Sequence, residues 1–175
     1  MSVYWIFLIP AFLLVFGCSS EEKYDLNTAK GAYLQAKEYD DDELYEEALR
    51  QYADVKNRHP YSKYATMAKL AMADIHYKRE SYVEAQHSYQ NFRELHPTHE
   101  KRAYVTYKLA MSFYKYLPSS VDRDLSQAKF AIQFFDEVIQ SHAESEYVKD
   151  AITNRRKTQE MLAGKVYYIA EFYFI

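Results

Sequence analysis

A His-Pro pair occurs twice in the chain, at His59-Pro60 and again thirty-seven residues later at His96-Pro97. Equal offsets upstream of each proline carry matching residues. Ala48, Tyr52 and Val55 precede Pro60; Ala85, Tyr89 and Phe92 precede Pro97 at the same distances. A third copy places Ala131, Phe135 and Val138 before His142-Ala143, with alanine where the proline stood. A fixed period of this length means one supersecondary unit repeated in series, each unit burying its apolar face only against its neighbours.

Small, aromatic and apolar residues spaced four and then three apart lie on one helix face. They mark the second helix of each unit. The first helix carries a small residue followed three later by a ring: Ala36 and Tyr39, Ala73 and His76, Ala110 and Phe113. Alanine lets two backbones approach, and the ring fills the space beside it. Proline lacks an N–H and biases its predecessor away from the helix, so the second helix stops there. Ser81 with Glu84, and Asp124 with Gln127, have capping-box spacing and are expected to start the second helices. These offsets resemble the tetratricopeptide pattern, whose period is 34. The expected fold is therefore all-α, a tetratricopeptide-like superhelix of antiparallel helix pairs. The second step, from Pro97 to Ala143, is nine residues longer than the first, and the loop-like LPSSVDRD at 117–124 is the expected insert.

Three glycines and four prolines in 175 residues suit a helical array. A net charge of −3 argues against nucleic acid as a partner. The single cysteine, Cys18, excludes an internal disulfide.

Residues 3–16 form an uncharged run, too short for a comfortable span and of signal-peptide length. It ends in Leu14-Val15-Phe16-Gly17-Cys18, which resembles a bacterial lipobox. That resemblance implies removal of 1–17, a diacylglycerol on the Cys18 sulfur and a fatty acyl group on its amine. It implies no other cofactor. Ser19 matches the outer-membrane sorting preference. The expected organisation is a signal peptide at 1–17, a lipidated tether at 18–27, three repeats and a following helix at 28–163, and the first helix of an incomplete fourth repeat at 164–175. Gly164 is expected to interrupt or weaken the helix there. The array is read as truncated after about three and a half units, since repeat arrays end in a polar cap.

Asp40-Asp41-Asp42-Glu43 lacks the alternation and turn glycine of a calcium loop and is expected to sit at a helix start, facing its dipole. His59, His96 and His142 recur beside the turns, a structural position. His96 and His99 have no third zinc ligand nearby. No nucleophile elbow, phosphate loop or paired-cysteine motif occurs, so no enzyme is expected.

In tetratricopeptide units the first helices line the concave face. Aligning Ala36, Ala73 and Ala110, the inward positions are Tyr33, Lys37 and Asp40, then Leu70, Asp74 and Tyr77, then Tyr107, Met111 and Tyr114. Rings with a few charges suit an extended peptide bearing aromatic side chains.

The finer text, LHPTHEKRAYVTYKLAMSFY at 95–114, the preceding HPYSKYATMAKLAMADIHYKRESYVEAQHSYQNFRELHP, the VDRDLSQAKFAIQFFDEVIQ insert and the tail YVKDAITNRRKTQEMLAGKVYYIAEFYF, resembles the BamD (ComL-type) family of outer-membrane assembly lipoproteins. The resemblance implies a lipid-anchored helical protein on the periplasmic side of the outer membrane. It implies binding of unfolded β-barrel precursors through an aromatic signal, and docking of other Bam complex subunits, including BamA. A structural adaptor in pilus or cell-envelope assembly is the alternative.

Overall fold

The computed structural model describes residues 23–174. Cys18 and the lipobox lie outside them. Seven helices follow in order: α1 (Ala29–Asp41), α2 (Tyr45–Arg58), α3 (Lys63–Lys78), α4 (Tyr82–Leu95), α5 (Arg102–Tyr116), α6 (Ala128–Ser141) and α7 (Val148–Phe174). Each packs on the next. Two pairs of odd-numbered helices also touch, α1 with α3 and α5 with α7. This is the stacked helix-pair array that the period predicts, with no strand among the described residues.

The repeat residues are its core. Ala36, Ala48, Ala73, Ala85, Ala110 and Ala131 have no exposed surface, and Tyr52, Tyr89 and Phe135 have at most 1%. A ring buried this fully contributes roughly 1.5–3 kcal/mol. Arg93 on α4 reaches α6, donating through Nη2 to both Glu137 oxygens at 2.9 Å, and Arg102 approaches the same carboxylate at 3.5 Å.

The second helices end alike. His59, His96 and His142 are their C-caps, with φ near −130° and the backbone N–H returned to Val55, Phe92 and Val138. Each histidine carbonyl accepts from the N–H three residues on, those of Ser62, His99 and Ser145. The imidazole Nε2 of each is buried without a hydrogen-bond partner among the described residues. Alanine at 143 therefore serves as well as proline, because the histidine already breaks the helix.

Three local expectations are corrected. Ser81 is the N-cap of α4, but its side chain makes no capping bond and its ψ is 67° rather than extended. Its N–H is already committed to His76 in the preceding turn. Asp124 also does not cap α6. It accepts from the Ser126 N–H at 2.9 Å, and α6 starts after Gln127. The acidic run lies at the end of α1, not at a helix start. There Asp40 pairs with Lys78 at 2.7 Å and Asp41 with Lys37 at 2.5 Å. The caps that do form are Thr28 Oγ1 to the Gly31 N–H and Ser62 Oγ to the Ala65 N–H.

Gly164 does not interrupt anything. α7 runs through it as one helix of 27 residues, so no helix boundary falls between 163 and 164. Flanking residues hold the helix there, and Lys165 ties it to the 117–124 loop. No helix among the described residues is long and apolar enough to cross a membrane.

Candidate peptide-binding groove

Tyr33, Lys37 and Asp40 recur at four and three residues on α1 and share one face. The facing strip of α3 carries Ala71, Asp74 and Lys78, and α5 adds Tyr104 and Lys108. With Tyr52 these side chains line a cleft of about 200 Å³. A second cleft of about 240 Å³ shares Tyr33, Ala71 and Asp74 with the first and continues to Thr66, Met67, Leu70 and the 99–101 turn. Together they follow α3 from Thr66 to Lys78, roughly 18 Å at 1.5 Å per residue.

Asp74 sits at the junction. Its Oδ1 accepts from the Tyr89 hydroxyl at 2.5 Å and the Tyr104 hydroxyl at 2.7 Å. Burial raises its carboxyl above the ordinary range, against the opposing pull of those two donors and of Lys108. The Tyr33 ring lies 5.5 Å from Tyr52 and 5.6 Å from Tyr64, and burial pushes its hydroxyl pKa up. Lys37 is raised by its bond to Asp41. Lys108 is half-buried, its Nζ 4.0 Å from the Tyr77 ring centre and 5.8 Å from that of Tyr104. Burial lowers its pKa.

The structure brings Tyr33, Lys37, Asp40 and Asp74 into one cleft, with Leu70, 5% exposed, lining the next. The other residues named from the sequence are placed elsewhere. Tyr77 lies under Lys108 and edge-on to Tyr82, and burial pushes its hydroxyl up to about 12. Tyr107 stacks on Tyr147 at 5.0 Å and donates to Asp150. Met111 is 8% exposed within the third core cluster, and Tyr114 packs edge-on against Phe135. For Tyr107 and Met111 the reason is Tyr147 and the first turn of α7, which pack on the inward strip of α5.

Tyr104, Lys108, Lys78 and Tyr52 are the groove residues that fixed offsets miss. The offsets hold from α1 to α3, where Leu70 and Asp74 line the clefts. They fail on α5, where Tyr104 and Lys108 line the cleft in place of Tyr107, Met111 and Tyr114, and Tyr52 comes from α2, a second helix. The signal that could have found Lys108 is its position on α5, one helical turn from Tyr104 on the same face.

A helical array with such a groove is compatible with many partners, and comparison with known proteins narrows them. The profile of the YfiO family, described as outer membrane lipoprotein, matches residues 25–175. The chain belongs to the YfiO family. Family membership places it among outer-membrane-associated lipoproteins. Three relatives carry the name outer membrane protein assembly factor BamD. The protein of Neisseria gonorrhoeae is 29% identical over 150 residues, 81% of this chain and 56% of that one. That of Caulobacter vibrioides is 26% identical over 164 residues, 91% and 53%. That of Vibrio cholerae is 24% identical over 173 residues, 93% and 72%. The chain thus spans about half the length of the first two.

Proposed function

We propose that this YfiO-family chain takes part in outer membrane protein assembly by holding extended segments of unfolded β-barrel precursors in the cleft formed by α1, α3 and α5. The supporting observation is the continuous cleft itself. Its length fits five or six residues of extended chain at about 3.3 Å each. Tyr33, Met67 and Leu70 offer apolar surface to alternate side chains, with lysines and carboxylates at the edges. The names of the relatives point to the same process.

The action is binding without chemistry. Diacylglycerol and acyl chains on Cys18 anchor the array to the outer membrane, since more than one chain is needed for stable attachment. Tethering raises the local concentration of precursor at the membrane. The other Bam complex subunits, including BamA, are the protein partners.

A second reading, an adaptor for other envelope machinery, draws on α7, whose far half exposes Val166, Tyr167, Phe172 and Tyr173. Two measurements test the first reading. Pull-down of the lipidated protein from membranes is expected to recover barrel-assembly subunits, and Cys18→Ser to move the chain out of the membrane fraction. Amidated aromatic-rich peptides are expected to bind the parent chain, and Met67→Glu, at an exposed groove position, to weaken them. Recovery of pilus or peptidoglycan factors in place of barrel-assembly subunits would favour the adaptor.

A further inference from the structure

The first cleft holds three lysines, and two are paired. Lys37 meets Asp41 and Lys78 meets Asp40. The Lys108 ammonium forms no ion pair and donates no hydrogen bond among the described residues, and Asp74, the carboxylate whose charge acts on it, already accepts two tyrosine hydroxyls on Oδ1. An ammonium carries three donors. Here its surroundings are the faces of Tyr77 and Tyr104, which attract the charge but accept no ordinary hydrogen bond. A half-buried cation in that state has lost hydration without gaining a directly paired counter-charge, Asp74 acting on it only from beyond ion-pair distance. An anion entering the cleft supplies one.

Resting on the groove reading above, we propose that Lys108 receives an acidic side chain, Asp or Glu, of the extended segment held there. One ammonium suits a monoanion, and Asp40 and Asp74 in the same cleft oppose anything more highly charged. The cleft runs along α3 on both sides of Asp74, from Thr66 to Lys78, so a chain lying in it passes Lys108 and need not end there. Tyr33, Met67 and Leu70 in the adjoining cleft then take an apolar or aromatic side chain a few residues away. The bound segment is therefore one that pairs an acidic residue with a nearby ring.

The test uses the full chain and three peptides with both ends blocked or defined. One carries alternate aromatic residues and a single Glu, with acetylated and amidated ends. The second has Gln in place of the Glu. The third has the Gln and a free terminal carboxylate. The parent is expected to bind the Glu peptide about tenfold tighter than its Gln twin, in proportion to one charge-assisted hydrogen bond. Lys108→Met is expected to bind the two equally, at the parent's affinity for the Gln peptide, and Lys108→Arg to keep the preference. Added salt is expected to shrink it. Equal binding of the twins to the parent, with Met67→Glu still weakening both, removes the role of Lys108 and leaves the groove. Binding of neither peptide ends both readings. A preference gained only with the free terminus overturns the side-chain assignment.

Discussion

Glu43 and Glu80 hold the same position in successive repeats, and both adopt a left-handed backbone, with φ of 60° and 59°. Each follows the C-cap of a first helix. The next N–H bonds back to the helix, Leu44 to the Tyr39 carbonyl at 2.8 Å and Ser81 to His76 at 2.9 Å, while each Glu donates to Asp40 or Tyr77 at 3.1 Å. This is a Schellman ending, whose left-handed position usually holds glycine. A side chain there costs about 1–2 kcal/mol, against about 0.5–1 kcal/mol for the greater freedom of glycine when unfolded. Glu43→Gly and Glu80→Gly are each expected to stabilise the fold by about 0.5–1 kcal/mol in denaturant unfolding. The sites are remote, so the effects should add. A loss of stability in either variant would contradict the strain assigned to that turn.

Two glycines inside helices are expected to respond in opposite ways to alanine. A Cβ on Gly31 would stand 2.0 Å from the Asp25 carbonyl oxygen, a backbone atom that cannot rotate away. Gly31→Ala should therefore dislodge the 23–28 segment, with a loss of about 3 kcal/mol, at the upper end for overpacking. A Cβ on Gly164 would meet only Val121 Cγ1, at 3.4 Å. Gly164→Ala should gain close to the propensity difference of about 1 kcal/mol. Thermal unfolding of both variants beside the parent reads the contrast, and equal effects would refute it.

The parts legible in the sequence are those set by local spacing. Ala48, Tyr52 and Val55 stand at fixed offsets from a turn, and the structure buries all three, as it does Ala85, Tyr89 and Phe92. A helix face needs only the period to be read. The groove needs more, because it depends on how one unit turns against the next. Tyr147, just before α7, covers Tyr107, a neighbour forty residues away with no local mark of the contact. Lys108 carries no motif, and its importance comes from Tyr77 and Tyr104 beneath it. The Ser81 capping box failed for a similar reason, its N–H being already held by the helix before it, whereas Asp124 stands too far upstream of α6 to cap it.

Asp74 should give the fold an unusual pH response. Its folded carboxyl is raised above the ordinary value of 3.8, first by burial. In the folded state it therefore holds its proton to higher pH than in the unfolded chain. Its contribution to stability is present below pH 3.8 and is lost as pH rises through the folded value. Asp74→Asn keeps an oxygen to accept from Tyr89 and Tyr104 and removes the titration. The stability of the variant relative to the parent is expected to improve as pH rises from about 4 toward neutrality. A constant difference between the two across that range would show that burial is not what limits the carboxylate.

Lys165 is expected to hold the 117–124 insert on α7. Its Nζ donates to the Arg123 carbonyl at 2.6 Å and lies 3.4 and 3.5 Å from those of Val121 and Asp122. Three carbonyls around one ammonium make the loop a strap rather than a free excursion, with Leu125 buried at its far end. Lys165→Met keeps the apolar stem and removes the donors. A charge-assisted bond contributes about 1.5–3 kcal/mol, so amide exchange across 119–124 should quicken by roughly tenfold or more. Exchange in α1 to α4 should stay unchanged, because the Lys165 ammonium bonds only carbonyls of the loop among the described residues. Unaltered exchange in the loop would mean that the burial of Leu125 suffices to hold it, and that the lysine follows the loop instead of fixing it.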